Sequence, residues 1–347
     1  MKLLIRATNW VGDAIMALPA LRSIREHFSD AEIVILARPY VAALYREQRI
    51  CDALVPYDID DQHAGLRGRE RLAKELRGRK FDTAILLQNA FDAAWLVWRA
   101  GIQERIGYAR DGRSLLLTKA VKVPHAGEIP EHEMFYYLEL LRRAGWIESL
   151  PQVDRIQLDV GERSRERGEE VLLEAGARPA ASRIALGAGA SFGAARCWPA
   201  ERYAEAANRL AAETDADVVL FGTAGEAAVT TAIAEKLRRP PVNLAGKTTI
   251  EELPGALSQC HVFIGNDSGV MHVAAAVGLP VVGVFGPTDP LGTAPVTPRR
   301  TIVQEKPYCS PCFLRRCPTD HRCMTRIRPE AVVLAAQPWL LGEARSA

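Results

Sequence analysis

The stretch "GVMHVAAAVGLPVVGVFG", Gly269 to Gly286, contains no Asp, Glu, Lys or Arg. It has the length of a short membrane span, so its reading decides between a membrane protein and a soluble α/β fold. Gly278-Leu279-Pro280 cuts it in two. The Ala-rich piece before the cut reads as a buried helix, and the Val-rich piece after it as a buried parallel strand, which is apolar on both faces because helices cover both. The unit is β-α-β: a strand at Val262–Gly265, a helix at Met271–Val277 and a strand at Val281–Phe285.

The same alternation extends outward from this unit. Upstream, Ile184–Gly187 and Asp217–Gly222 read as strands, with helices at Pro199–Ala212 and Gly225–Leu237. The pattern thins between Gly145 and Arg183. Before that gap, strands are expected at Leu3–Arg6, Ile33–Ala37, Ala53–Tyr57 and Thr83–Leu87, and helices at Ala14–Phe28, Gly65–Arg79 and Glu131–Ala144. Repeated β-α alternation argues for parallel sheets with helices on both faces. A chain of 347 residues exceeds one typical core. The expected architecture is two Rossmann-like doubly wound domains, residues 1–170 and 171–328, with a last helix at about 329–345 packing back on the first. In such folds ligands sit at the carboxyl ends of strands, and with two domains the cleft between them is the expected site.

Composition is that of an ordinary globular protein, 48% hydrophobic and 25% charged, with a formal net charge of +2. No bulk charge argues for nucleic acid as a partner. Arg6 and Asp13 interrupt the only N-terminal apolar run, so no signal peptide is expected and the chain reads as cytoplasmic.

Three strand-end loops carry chemistry. "GAGASFG", Gly187–Gly193, has one residue too many for a dinucleotide fingerprint, and Thr223 rather than an acid follows the next strand. A nicotinamide enzyme is disfavoured, but a small-residue loop ahead of a helix suits phosphate, and Arg196 offers a guanidinium to phosphoryl oxygens. "GNDSGVMH", Gly265–His272, ends a buried strand and opens a small-residue helix. Capping alone would explain Asp267 and Ser268; it does not explain them together with His272 one turn later. "TNWVGDAIMALP", Thr8–Pro19, places Gly12-Asp13 where a strand ends and a helix begins. Asp13 reads there as a helix N-cap or as a carboxylate presented for catalysis.

Together, "NWVGDAIMALPALRSIRE", "GASFGAARCWPAERYAE" and "NDSGVMHVAAAVGLPVVGVFGPTDP" resemble the ADP-heptose:lipopolysaccharide heptosyltransferases, glycosyltransferase family 9, and most of all their type II members. The resemblance runs from Met1 to about Arg328. It implies a GT-B fold, two Rossmann-like domains facing each other across a cleft. It also implies an inverting, metal-independent transfer of heptose from ADP-heptose to the anionic lipopolysaccharide inner core. The family's catalytic Asp falls on Asp13, its donor-binding Asp-Ser/Thr-Gly on Asp267-Ser268-Gly269, its helix His on His272 and its loop hydroxyl on Ser191. Its loop Lys falls on Arg196, which keeps the charge with different geometry. Asn9, Gly12 and Glu226 are further donor-side residues by the same comparison. In "RIGYARDGRS", Arg105 and Arg113 are expected to line the acceptor side. The acceptor's Kdo carboxylates and phosphates suit Arg, and an anionic inner-membrane surface would be a peripheral contact. A type I or III heptosyltransferase, an epimerase or hydrolase of nucleotide sugars, and a non-catalytic binder stay open as alternatives.

Two strings compete for a metal. Asp58-Ile59-Asp60 matches D-x-D but reads as a solvated acidic loop outside these motifs. In "CSPCFLRRCPTDHRC", Cys309, Cys312, Cys317 and Cys323 with His321 number enough ligands for structural zinc or an iron–sulfur cluster; reduced thiols or an oxidised pair are the alternatives. No cofactor is expected for catalysis.

Overall fold

A computed structural model of the chain describes residues 1–342. These form two compact units, Met1–Val153 and a second from Asp154 on, each built on a six-stranded parallel sheet. The first contains β1 (Lys2–Arg6), β2 (Glu32–Ala37), β3 (Ala53–Pro56), β4 (Thr83–Leu86), β5 (Glu104–Tyr108) and β6 (Lys119–Val121). Its helices are α1 (Val11–Met16), α2 (Leu18–His27), α3 (Pro39–Tyr45), α4 (Gly65–Gly78), α5 (Phe91–Arg99) and α6 (Glu133–Ala144). The second has α7 (Glu162–Glu174), β7 (Arg183–Gly187), α8 (Ala200–Thr214), β8 (Asp217–Phe221), α9 (Ala227–Ala234), β9 (Val242–Asn243) and α10 (Glu252–Ser258). It continues with β10 (Val262–Asn266), α11 (Gly269–Ala276), β11 (Val281–Phe285), α12 (Pro290–Thr293), β12 (Arg300–Gln304), α13 (Arg322–Thr325) and α14 (Pro329–Leu341).

Both sheets have one topology. The first runs β3-β2-β1-β4-β5-β6 and the second β12-β11-β10-β7-β8-β9. In each, the first three strands step one way and the next begins on the other side of the first. That leaves a switch point between β1 and β4, and another between β7 and β10, where doubly wound sheets bind ligands. The opening stretch divides as its Gly-Leu-Pro predicts: α11 ends at Ala276, Gly278 takes φ +88°, and β11 is buried throughout between β10 and β12. No helix of the described residues is long and apolar enough to cross a membrane.

Three expectations change. The single helix at Ala14–Phe28 is two, α1 and α2, because Pro19 cannot donate within a continuous helix. The first unit ends at Val153 rather than at 170, because α7, hidden in the sequence by its charge, packs on α10. The two helices meet backbone to backbone: a Cβ on Gly168 would lie 2.2 Å from the Gly255 carbonyl carbon, and one on Gly255 1.8 Å from Ser164 O. Third, α14 contributes to the second unit. Its Val332, Val333 and Ala336 join a core with Trp198, Tyr203 and Leu210, and residues 343–345 of the expected helix lie outside the described residues.

The glycine crossing gives a test with an unambiguous sign. Gly→Ala in a helix interior ordinarily stabilises by about 1 kcal/mol. At Gly255 the new methyl meets backbone that cannot swing aside, so Gly255→Ala is expected to destabilise by roughly 1–3 kcal/mol. A raised thermal midpoint for that variant would show that α7 and α10 do not pack as described.

Candidate active site

The second unit's site is assembled around one buried amide. Asn266, last residue of β10, is fully buried. Its Oδ1 accepts from Trp198 N at 3.0 Å and from the Tyr203 hydroxyl at 2.6 Å, and its Nδ2 donates to Ala188 O at 2.7 Å. This ties the end of β10 to the loop after β7 and to the start of α8, across the switch point. The next residue, Asp267, is thereby brought under the phosphate-type loop. Arg196 Nη1 reaches Asp267 Oδ2 at 3.0 Å, the guanidinium lies 4.4 Å from the Phe192 ring centre, and Thr293 Oγ1 donates to Oδ2 at 3.3 Å. Burial raises the Asp267 pKa, while Arg196 and the hydroxyls of Thr288 and Thr293 oppose the rise. Neither Thr288 nor Thr293 was singled out in the sequence.

The helix-capping explanation of this motif does not hold. Ser268 is the N-cap residue of α11, yet its side chain makes no cap bond, and its buried hydroxyl has no hydrogen-bond partner among the described residues. Gly269 opens α11 and His272 is buried one turn on. Ser191 is exposed on the loop. Glu226 lies at the end of β8, where its Oε2 accepts from Thr223 N at 2.8 Å in a capping box. Its carboxyl also lies against the loop: a Cβ on Gly189 would meet Glu226 Oε1 at 2.1 Å. Six expected residues, Ser191, Arg196, Glu226, Asp267, Ser268 and Gly269, thus gather at the carboxyl ends of β7, β8 and β10.

In the first unit Asp13 is the third residue of α1; Trp10 is the N-cap. Asp13 is therefore not the cap residue, though the helix N-terminus still favours its ionised form. Gly12 precedes it within the same turn. Tyr45, buried, donates to Ala14 O at 2.8 Å and braces the helix. Asn9 is held in place by Arg6 Nη2 on its Oδ1 at 2.7 Å and by the Tyr40 hydroxyl on its carbonyl at 2.5 Å. Arg6 itself is buried over the Tyr57 ring, and burial pulls its pKa down to about 10.

Glu133, the first residue of α6, was not singled out in the sequence. Its pKa is pushed up to about 7, chiefly by burial and next by the charge of Asp13, with Arg110 opposing. Arg110 also reaches the Tyr136 hydroxyl at 3.3 Å. The expected acceptor-side arginines are built into the fold instead. Arg113 is buried and donates to Tyr108 O, Gln88 O and Asn89 Oδ1; Arg105 donates to Leu116 O, Ile102 O and Gln103 O. Both brace the loop that follows β5, and Arg110, between them in the sequence, is a cation near Glu133.

The metal expectation is not met. Among the described residues no group of three His, Cys, Asp or Glu could hold an ion. Cys309 is exposed, whereas Cys323 is buried, its Sγ 3.2 Å from where a Cβ on Gly286 would stand. The acidic Asp58–Asp60 loop is solvated as expected, with Asp60 paired to Arg38 at 3.2 Å.

The profile of glycosyltransferase family 9 (heptosyltransferase) matches residues 69–322. Lipooligosaccharide heptosyltransferase 2 of Haemophilus influenzae is 29% identical over 88% of this chain and 88% of its own. The solved structure of ADP-heptose LPS heptosyltransferase II from E. coli superposes with a TM-score of 0.82 at 27% identity, covering 99% of both chains. A family 9 glycosyltransferase from Veillonella parvula, 21% identical with a TM-score of 0.86 over 98% of this chain and 97% of its own, shares the fold.

Glu133 gives a pH test. Its pKa in the folded chain stands above the ordinary 4.5, so the folded state holds the proton more tightly than the unfolded state. The associated stability is complete below about 4.5 and lost as pH rises through about 7. Glu133→Gln should remove this dependence. Wild type and variant are expected to be similarly stable at pH 4.5, with the variant gaining relative to wild type by up to a few kcal/mol at pH 8, on the order of 1.4 kcal/mol per pKa unit. A stability difference independent of pH would contradict the placement of Glu133 beside Asp13.

Proposed function

The chain belongs to glycosyltransferase family 9 and is a glycosyltransferase of the GT-B fold; from that premise we propose that it moves L-glycero-D-manno-heptose from ADP-heptose to the heptose–Kdo–lipid A inner core of lipopolysaccharide. The observation that carries this reading is the Asp267–Arg196 pair, buried at the switch point of the second sheet beneath a loop of small residues. It supports a donor diphosphate: Arg196 and the loop amides face a leaving group that gains negative charge as its bond to the sugar breaks. Glu226, against Gly189 at the end of β8, is on this reading the residue nearest the nucleoside. Ser191, Ser268 and His272 complete the donor set.

Asp13 is the general base. The acceptor is a sugar hydroxyl, which is a poor nucleophile until it loses its proton. As its oxygen bonds to the anomeric carbon, the proton passes to the Asp13 carboxylate, and the C–O bond to ADP breaks with its electrons going to the diphosphate. One displacement inverts the anomeric centre. Glu133, neutral below about pH 7, leaves Asp13 to carry the pair's charge. Arg110 is the cation this reading assigns to the acceptor's anionic groups. No cofactor takes part. Because the acceptor carries lipid A, the reaction takes place on the cytoplasmic side at an anionic membrane surface, with peripheral contact.

Asp13→Asn separates this role from a structural one. The amide keeps the size but cannot take the proton. The variant is expected to keep its thermal midpoint and its affinity for ADP while losing at least ~100-fold in turnover, the low end of general-base contributions. Near-wild-type turnover would remove Asp13 from the mechanism.

A further inference from the structure

The cysteine-bearing segment, residues 307–323, is tied to both sides of the second unit's site. On one side, Ser310 Oγ donates to Gly286 O at 2.6 Å, and the amides of Cys312 and Phe313 donate to Pro287 O at 3.0 and 2.8 Å, just before Thr288. On the other, Ala195 N donates to Arg315 O at 3.1 Å, and His321 Nε2 lies 2.6 Å from Ala195 O. Contact with the phosphate-type loop is close enough to dictate sequence there. A Cβ on Gly193 would stand 2.4 Å from Arg315 O, so Gly193 is glycine because this segment lies on it.

The segment also delivers a charge. The Arg315 guanidinium lies 4.9 Å from the centre of the Phe192 ring, the same ring that Arg196 packs against at 4.4 Å. The two cations differ in what holds them. Arg196 is already paired with Asp267. Arg315 is exposed, and no ion pair to a carboxylate is recorded for it among the described residues. A nucleoside diphosphate brings more than one negative charge, and gains more as the sugar leaves. One guanidinium already neutralised by a buried carboxylate meets little of it.

We propose that Arg315 is a second diphosphate-binding cation of the donor site, held against Phe192 by the cysteine-bearing segment. This rests on the reading of the second unit as a nucleoside-diphosphate site. Phe192 holds both guanidinium groups beside the loop that carries Ser191. The four cysteines then belong to a segment whose backbone positions Arg315 beside the loop.

The test is titration of the full-length protein with ADP, AMP and adenosine. Arg315→Gln should weaken ADP at least ~10-fold, the effect of losing one charge-assisted hydrogen bond. AMP should weaken less and adenosine by no more than about twofold. Arg315→Lys should recover part of the ADP affinity, since it keeps the charge without the planar fork. Arg316→Gln, which removes the neighbouring exposed charge, should leave ADP binding unchanged. Equal ADP affinities for wild type and Arg315→Gln would overturn the proposal alone, as would equal losses from Arg315→Gln and Arg316→Gln. A wild type that binds no ADP would overturn both this proposal and the donor reading beneath it.

Discussion

The second unit depends on the side-chain amide of Asn266. A buried amide is costly unless its donors and acceptors are met, and this one is met by groups from three separate segments: Ala188, Trp198 and Tyr203. Neither an apolar residue nor an aspartate could replace it. The first would orphan the Tyr203 hydroxyl and the Trp198 amide, and the second would set a carboxylate against the Ala188 carbonyl. Because these bonds cross the switch point between β7 and β10, they fix the distance between the loop carrying Ser191 and Arg196 and the turn carrying Asp267 and Ser268. The arrangement of these two loops is a by-product of how the sheet is closed.

Charge is arranged on the same logic in both units. At Asp267, burial favours the neutral acid, and Arg196 with two hydroxyls draws it back toward the anion. Arg196 therefore enters the site already paired with a carboxylate. At Asp13 the neighbour is another carboxyl. Burial raises the Glu133 pKa first, and the nearby charge of Asp13 adds to it, since two acids close together cannot both ionise cheaply. On the proposed reading this leaves Asp13, in the first turn of α1, as the base. Arg6 and Arg113, which carry formal charge at the same sheet edge, are spent on holding loops: Arg6 on Asn9, Arg113 on Gln88 and Asn89.

The chain's own pattern made the architecture legible, and the reasons for its gaps are local. Strands buried on both faces, such as "VVGVF", stand out because no polar residue interrupts them. The helix α7 did not stand out: "ERSRERGEEVLLE" buries only Gly168, Val171 and Leu172, and a glycine contact carries no hydrophobic signal. Asp267 and Arg196 stood out in the sequence because strand-end loops need a reason to carry charge, and the structure brings the two together. Glu133 was not, since an acid in the first turn of a helix is ordinary until its burial beside Asp13 is seen. Arg105 and Arg113 show the converse: an arginine in such a stretch looks like a ligand for anions, and only the structure shows the oxygens of the fold that each guanidinium already meets. The cysteines carried a metal-like spacing, yet among the described residues no group of three His, Cys, Asp or Glu could hold an ion.

All of this converges on a donor carrying a diphosphate and on an acceptor whose hydroxyl must be deprotonated. The measurement that meets the claim head-on is nucleotide release by the wild-type enzyme, offered ADP-heptose, UDP-sugars or GDP-sugars in turn, with and without heptose–Kdo–lipid A. The account predicts ADP release from ADP-heptose only when the acceptor is present, with heptose appearing on the lipid in the inverted configuration. Release that proceeds equally without acceptor, or that prefers a UDP- or GDP-sugar, would contradict it.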